Sequence, residues 1–294
     1  LRKKRRMPVS GGRKGIIMKV GFIDYYLDEW HANHYPKMLR DISNGEVEVA
    51  YAYGKIPSPI TGKTSEEWCR EYSVALCETI EEVVEKSDVL IVLSPDNCEM
   101  HEELTRLPLM SGKNTYVDKT FSPDKKGAEA MFRLAEQHKT ACYSTSALRF
   151  ATEYRAYEGK KILAMNTWGP YGLETYSIHQ LEPIMMLMKG KPERVLAVTQ
   201  GEWANLLMEW EDGRSASLLC TGGDCPSVAN LCLEEGCRAL TIESDAFGGF
   251  MRNLVEFFHT GEVPVSHEET IAIMAVREAA LKAAGQPGTW VAVE

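Results

Sequence analysis

The stretch from Val89 to Thr120 decides the fold, and it reads VLIVLSPDNCEMHEELTRLPLMSGKNTYVDKT. It opens with five apolar residues, Val89 to Leu93, a pattern typical of a strand buried on both faces. A helix is predicted from about His101 to Met110, and a second short strand at Thr115 to Val117. This order predicts a parallel sheet, in which ligands bind outside the carboxyl ends of the strands. Because Lys119 comes directly after such an end, we predict that it belongs to a functional site.

The same stretch resembles the Gfo/Idh/MocA family of NAD(P)-dependent sugar and polyol oxidoreductases. Those proteins have a Thr/Ser-Pro-Asn-like turn after a buried strand, then a helix that begins with His, then Ala-Gly-Lys, a short strand and Glu-Lys-Pro. The matching residues here are Ser94-Pro95-Asp96, His101, Ser111-Gly112-Lys113 and Asp118-Lys119-Thr120. The resemblance runs from about Met18 to near the C-terminus. It implies cofactor contacts for Ser94, Pro95, Asp96, His101 and Asp118.

Length and composition exclude several classes of protein. With 294 residues the chain is long enough for two domains, and its 44% hydrophobic and 26% charged residues are those of an ordinary globular protein. No apolar run approaches the roughly 18–20 residues that span a bilayer, and the N-terminus lacks the apolar core of a signal peptide. We therefore expect no membrane partner, a cytoplasmic location and reduced cysteines.

Charge is divided unevenly along the chain. Residues 1–17 hold seven Lys and Arg and no acid, whereas the rest has 26 basic against 42 acidic residues, a net charge of −16. A body this acidic is a poor partner for nucleic acid. The basic head fits a localisation or polyanion-binding tail as well as a disordered or vector-derived extension. We favour the extension and assign it no function.

The predicted fold is α/β followed by α+β. Residues 18–147 are expected to form a Rossmann-like domain with a parallel sheet, and residues 148–294 a substrate-binding domain with an open, largely antiparallel sheet. The resemblance implies a homo-oligomer formed through that second sheet. A helix is predicted over Glu66 to Cys77, and another from an N-cap at Ser122 to about His138.

The turn after the first strand departs from the family pattern. A dinucleotide-binding fold carries Gly-x-Gly-x-x-Gly there, because glycines let the backbone close around the pyrophosphate at a helix N-terminus. Here the turn reads Asp24-Tyr25-Tyr26-Leu27-Asp28-Glu29. The family implies NAD or NADP at Asp24, Tyr25 and Tyr26. The three carboxylates are expected to satisfy the helix donors themselves and to repel a phosphate, which predicts weak or absent cofactor binding.

Other polar residues admit two interpretations. His31 and His34 lie three apart and could hold a metal with Asp24, but a polar helix face accounts for them better. The second strand ends in Tyr53-Gly54-Lys55 with no acid for a ribose, and Lys55 is either a phosphate ligand or a surface lysine. Four cysteines of the second domain could also be read as a zinc site: Cys220, Cys225, Cys232 and Cys237. The gaps between them are wider than in usual zinc sites, so we predict no metal there.

The second domain carries a further part of the resemblance. The family has an Arg-Phe pair at its domain crossover, matched here by Arg149, and a motif Asp-x-Gly-x-His-x-x-Asp in its substrate cleft. His179 and Glu182 match the end of that motif, while Thr175 replaces its first Asp. The family implies that Lys119 orients the reacting oxygen and that His179 is the acid/base, with Arg149, Thr175 and Glu182 near the substrate. A buried core position is the alternative for His179.

Two functions are compatible with these residues. One is an NAD(P)-dependent oxidoreductase acting on a sugar, a polyol or a related hydroxy or keto compound. The other is a non-catalytic relative that binds a small molecule or regulates, and that no longer binds dinucleotide well. Lys119 and His179 favour the first function, and the altered turn favours the second.

Overall fold

The computed structural model describes residues 17–294, so the basic head lies almost entirely outside the described part. The first sheet is six-stranded and parallel, in the order β3-β2-β1-β4-β5-β6. Its strands are β1 (Met18–Asp24), β2 (Val47–Gly54), β3 (Ala75–Leu76), β4 (Val89–Val92), β5 (Thr115–Val117) and β6 (Cys142–Tyr143). All four residues of β4 are buried, as the apolar run predicts.

Five helices connect the strands of this sheet: α1 (Trp30–Ile42), α2 (Ser65–Tyr72), α3 (Ile80–Lys86), α4 (His101–Met110) and α5 (Lys125–Gln137). The predicted helix over Glu66 to Cys77 is wrong in its second half. Ser73 adopts a left-handed conformation, with φ of 57°, which ends α2 and lets β3 join the sheet edge. The N-cap predicted at Ser122 is also wrong, because the Asp124 carboxylate accepts the hydrogen bond from the Gly127 N–H and starts α5.

The second sheet has seven strands in the order β12-β11-β7-β10-β9-β8-β13. They are β7 (Ile162–Gly169), β8 (Arg194–Gln200), β9 (Trp203–Glu209), β10 (Ser215–Thr221), β11 (Val228–Leu233), β12 (Gly236–Thr241) and β13 (Val291–Ala292). Only the β7–β10 pair is parallel. The predicted fold class, a parallel sheet followed by a largely antiparallel one, is therefore confirmed.

Four helices accompany this sheet: α6 (Thr152–Arg155), α7 (Leu173–Met188), α8 (Ala246–Thr260) and α9 (His267–Ala284). Helix α7 lies against the inner face of the sheet, and eleven of its sixteen residues are buried. Helix α8 returns to the first unit, where Phe250 and Leu254 join the core around Phe22 and Ile91. This return packs α8 beside α1.

Within residues 17–294, no helix is long and apolar enough to cross a membrane. The same residues contain no group of three or more His, Cys, Asp or Glu side chains placed to hold a metal. Cys232 and Cys237 lie opposite each other on β11 and β12, with their sulfur atoms 3.0 Å apart.

Candidate active site

A cavity of about 480 Å³ lies where the carboxyl ends of the parallel strands face α7 and the second sheet. This volume is in the range of small-molecule sites. The loop after β5 contributes Asp118 and Lys119, and α7 contributes His179. The start of α1 contributes Glu29 and His31. Aromatic side chains form much of the remaining wall: Trp30, Tyr35, Tyr171, Tyr176 and Phe247.

Lys119 lies where the parallel sheet predicts a functional residue. Its side chain is largely buried and lines the cavity, and its Nζ donates one long hydrogen bond, 3.4 Å, to the Pro95 carbonyl. The neighbouring Asp118 accepts a hydrogen bond from the Tyr116 hydroxyl at 2.9 Å through Oδ1. Its Oδ2 is buried and has no hydrogen-bond partner among the described residues.

His179 lies in the opposite wall of the same cavity. Its Nδ1 is 2.7 Å from the Ser146 hydroxyl, which also accepts a hydrogen bond from the Leu148 N–H. Burial, followed by the positive charge of Lys119 and by His31, holds the pKa of His179 well below its usual range. The imidazole is therefore uncharged near neutral pH. The structure thus brings Lys119 and His179 together, as the prediction requires, although the role of each stays a prediction.

Glu29 caps α1 with its own carboxylate. The two oxygens accept hydrogen bonds from the backbone N–H groups of His31, at 2.7 Å, and of Ala32. The carboxylate also lies 3.1 Å from the His31 ring. Free N–H groups at a helix N-terminus are what a bound phosphate would use, and Glu29 already occupies them.

Asp24 ends β1 inside the protein. Burial, and then the nearby Glu29 carboxylate, raise the pKa of Asp24 well above its usual range, although the amides of Tyr25 and Tyr26 oppose the rise. No described group lies in hydrogen-bond geometry with either carboxyl oxygen. The expectation that three carboxylates satisfy the helix end is therefore corrected, because Glu29 alone caps α1.

The segment after β2 lies on this turn. The backbone N–H groups of Lys55 and Ile56 donate to the carbonyls of Asp24 and Tyr25, at 3.1 and 2.9 Å. Further along, the Thr61 hydroxyl donates to Asp28 at 2.6 Å. The Lys55 ammonium forms an ion pair with Glu103 at 2.6 Å, so it is not a free phosphate ligand.

Several residues that the resemblance places at the site do not line the cavity. His101 is fully buried in α4, with ring nitrogens 2.5 Å from the Leu93 carbonyl and 3.0 Å from the Phe121 carbonyl. Ser94 is a turn residue with φ of 76°, whose hydroxyl donates to Asn97. Of the expected cofactor contacts, Pro95, Asp96 and Asp118 line the cavity, whereas Asp24, Tyr25, Tyr26, Ser94 and His101 do not.

The expected substrate contacts likewise lie outside the wall. The Arg149 guanidinium is buried between Glu182, at 2.7 Å, and Glu269, at 2.5 Å, and joins the crossover to α7 and α9. Thr175 is an exposed residue of the first turns of α7. Conversely, Ser146 and the aromatic wall were not predicted. No signal in the sequence marks Ser146, because its contact with His179 joins residues 33 apart.

Several solved structures share this fold. A myo-inositol dehydrogenase from Lactobacillus casei, in complex with NAD(H) and myo-inositol, has a TM-score of 0.79 and 13% identity, covering 95% of this chain and 97% of that one. GenD2 from gentamicin A biosynthesis, in complex with NAD, has a TM-score of 0.77 and 13% identity, covering 98% and 100%. Apo scyllo-inositol dehydrogenase from Lactobacillus casei has a TM-score of 0.75 and 15% identity, covering 94% and 98%.

No protein-family model and no curated protein matches the sequence. At the identities given above, the likeness establishes the fold alone. The resemblance to the Gfo/Idh/MocA family is confirmed at that level, because structures of inositol dehydrogenases match 94–95% of this chain with TM-scores of 0.75 and 0.79.

The turn between β1 and α1 does not fit the pyrophosphate of a dinucleotide. The stretch from Asp24 to Glu29 has no glycine that would let the backbone approach a phosphate. Glu29 occupies the helix donors and places a carboxylate where a phosphate would lie. Two like charges about 5 Å apart repel by roughly 3 kcal/mol at an effective dielectric constant near 20.

Proposed function

We propose that this chain is an oxidoreductase acting on a small hydroxy or keto compound, a sugar, a polyol or a related molecule, in the central cavity. The observation that carries the proposal is the presence of Lys119 and His179 in the wall of one cavity. An ammonium group can stabilise the charge that develops on the reacting oxygen when an alcohol and a carbonyl interconvert, and an uncharged imidazole can exchange the proton.

Lys119 is proposed to bind that oxygen. Its single long hydrogen bond to Pro95 leaves N–H groups available to a ligand. Negative charge develops on the oxygen as an alcohol loses its proton, and a cation held in the cavity wall stabilises that charge. Donors of this kind contribute about 10²–10³-fold to rate.

His179 is proposed to exchange the proton. Its lowered pKa keeps the ring uncharged, so that Nε2 can take a proton from an alcohol, and the imidazolium formed in this step returns the proton to the carbonyl oxygen in the reverse reaction. In both states Nδ1–H can donate to the Ser146 hydroxyl oxygen, which holds the ring in place.

NAD or NADP is the hydride carrier that the fold suggests, since two of the solved structures named above hold NAD. Because the β1–α1 turn does not fit the pyrophosphate, the proposal includes a weakly held cofactor, with a Kd of about a millimolar or more.

A non-catalytic protein that binds the same kind of ligand is the second proposal. It is favoured by the α1 N-terminus, where Glu29 takes the place of a phosphate and the segment after β2 bonds to the turn. In this case Lys119 and His179 bind a ligand oxygen and no hydride is transferred.

Turnover separates the two proposals. Sugars, inositols and their keto forms are screened with millimolar NAD(H) and NADP(H), and the nicotinamide absorbance is followed. Lys119→Ala and His179→Ala should each lower the rate by about 10²–10⁴-fold. Lys126→Ala, at an exposed position of α5, is the matched control and should leave the rate unchanged.

Two results would contradict the proposal, the first in the role of Lys119 and the second in the reaction itself. Turnover that survives Lys119→Ala would show that the reacting oxygen is bound elsewhere. Binding of a sugar or polyol by calorimetry, with no turnover at any cofactor concentration, would favour the non-catalytic protein.

A further inference from the structure

The lining of the cavity carries more negative than positive charge. Glu29, Asp96 and Asp118 contribute carboxylates, whereas Lys119 is the only Lys or Arg among the lining residues. His179 is uncharged near neutral pH because of its lowered pKa. His31 lies between two of the carboxylates, with its Nδ1 3.1 Å from Glu29 and 3.6 Å from Asp118.

One of the two carboxylate oxygens of Asp118 receives no hydrogen bond from the residues that the structure describes. Asp118 is 1% exposed, and its Oδ1 accepts a hydrogen bond from Tyr116, whereas Oδ2 has no hydrogen-bond partner among residues 17–294. The 3.6 Å distance from Oδ2 to the His31 ring is beyond a hydrogen bond. A buried carboxylate oxygen without a donor is costly, and a donor on a ligand in the cavity would satisfy it.

The cavity wall also contains an exposed carboxylate, that of Asp96. No residue between 17 and 294 donates a hydrogen bond to this carboxylate or forms an ion pair with it. Trp30 and Tyr171 are 45% and 41% exposed and line the same cavity. The faces of such rings attract cations.

We infer that the cavity takes a ligand with a protonated amino group beside its hydroxyl or keto group, that is, an amino sugar or an aminated polyol. The hydroxyl or keto oxygen lies at Lys119 and His179, and the ammonium group lies at the carboxylates. This inference deepens the proposed function, because it names the ligand class of the same cavity.

The charge of the ligand distinguishes an amino sugar from neutral polyols and from anionic sugars. A neutral polyol can donate to Asp118, but an ammonium group adds the Coulomb attraction between two opposite charges, which is stronger in a partly buried cavity than in water. A phosphorylated or carboxylated sugar would be repelled by the carboxylates of the wall, those of Glu29, Asp96 and Asp118. The charge pattern of the wall therefore favours a cation.

Calorimetry on the full chain without nucleotide tests the inference with matched pairs of probes. Each pair differs by one amino group in place of a hydroxyl: D-glucosamine and D-glucose, an aminated scyllo-inositol and scyllo-inositol, and 2-amino-1,3-propanediol and glycerol. At least one amine should bind tenfold or more tightly than its neutral partner. The preference should weaken as the salt concentration rises.

Two variants test which carboxylates cause the preference for the amine. Asp118→Asn should reduce the preference for the amine about tenfold, and Asp96→Asn should also reduce it. Because Asp96 is exposed and bonds no described residue, its replacement leaves the fold intact even where that of Asp118 does not. Asp41→Asn, at an exposed position at the far end of α1, is the control and should keep the preference.

The inference is overturned if no amine binds more tightly than its neutral partner, or if the preference survives both variants. Its failure differs from failure of the proposed function. Amine preference without turnover would remove the oxidoreductase alone, whereas Lys119-dependent turnover of neutral sugars without amine preference would remove this inference alone.

Discussion

Asp24 places a buried carboxyl group where the dinucleotide-binding pattern has a glycine. Its carboxyl group lies at the end of β1, where a dinucleotide-binding chain has glycine, and it is 1% exposed. Burial raises the pKa, and the Glu29 and Asp118 carboxylates add to the rise. The folded protein therefore holds this proton at pH values where the unfolded chain has lost it.

The sign of the pH dependence follows from this difference. Between the pKa of the unfolded chain, about 3.9, and the raised pKa of the folded state, the free energy of unfolding decreases as pH rises, by up to about 1.4 kcal/mol per pH unit. Asp24→Asn removes this decrease. The difference in the free energy of unfolding, variant minus unchanged protein, should therefore increase from about pH 4 to about pH 8, as measured by urea unfolding.

Asp41→Asn, which removes an exposed carboxylate, serves as the control for loss of surface charge. A stability difference for Asp24→Asn that is the same at both pH values would mean that Asp24 titrates alike in the folded and unfolded states.

At the residue scale, local motifs at a strand end and on a helix are enough to select Lys119 and His179 as candidates, and both line the cavity, while their roles stay predictions. It predicts Arg149 poorly. An Arg-Phe pair at a crossover gives no indication that the guanidinium is enclosed by Glu182 and Glu269, which follow 33 and 120 residues later.

Arg149 also links three elements, the crossover segment, α7 and α9. Removing one member of a buried ion pair leaves the others uncompensated and costs about 3–5 kcal/mol. We expect Arg149→Met to lower the free energy of unfolding by about that amount, as measured by chemical denaturation.

Arg155→Met is the matched control. Arg155 pairs with Glu158 on the surface at 3.2 Å, and exposed pairs contribute about 0–1 kcal/mol. Equal losses for the two variants would show that the Arg149 network does not stabilise the fold.

At the scale of elements, the β-α-β order was predictable because buried strands and amphipathic helices have distinct periods. The partners of the later strands were not. Alternation along β7 and β10 indicates which side chains are buried, but it does not specify that these two strands pair in parallel across about fifty residues. The return of α8 to the first sheet is a long-range contact of the same kind.

At the scale of the whole molecule, the outer face of the second sheet exposes several large apolar side chains. Val198, Trp203 and Leu207 are 63%, 53% and 37% exposed, and Trp168 lies on the same face. Several large exposed apolar side chains on one face of a sheet favour a protein interface there. We therefore expect the chain to form a homo-oligomer through this face.

Leu207→Glu should convert that oligomer to a monomer, because it places a charge in the middle of an apolar contact. Light scattering coupled to size-exclusion chromatography measures the mass. Val263→Glu, at an exposed apolar position outside the sheet, should leave the mass unchanged. An unchanged protein that is already monomeric would contradict the expectation.

The central claim is that the β1–α1 turn holds a dinucleotide only weakly, while the wall of the adjoining cavity carries Lys119 and His179. Calorimetric titration of the full chain with NAD(H) and NADP(H) tests this most directly. Repulsion of roughly 3 kcal/mol lowers affinity more than a hundredfold, which predicts a Kd of about a millimolar or weaker for the unchanged protein. Replacing Asp24 and Glu29 by glycine should strengthen binding. Micromolar binding of either cofactor by the unchanged protein would contradict the claim.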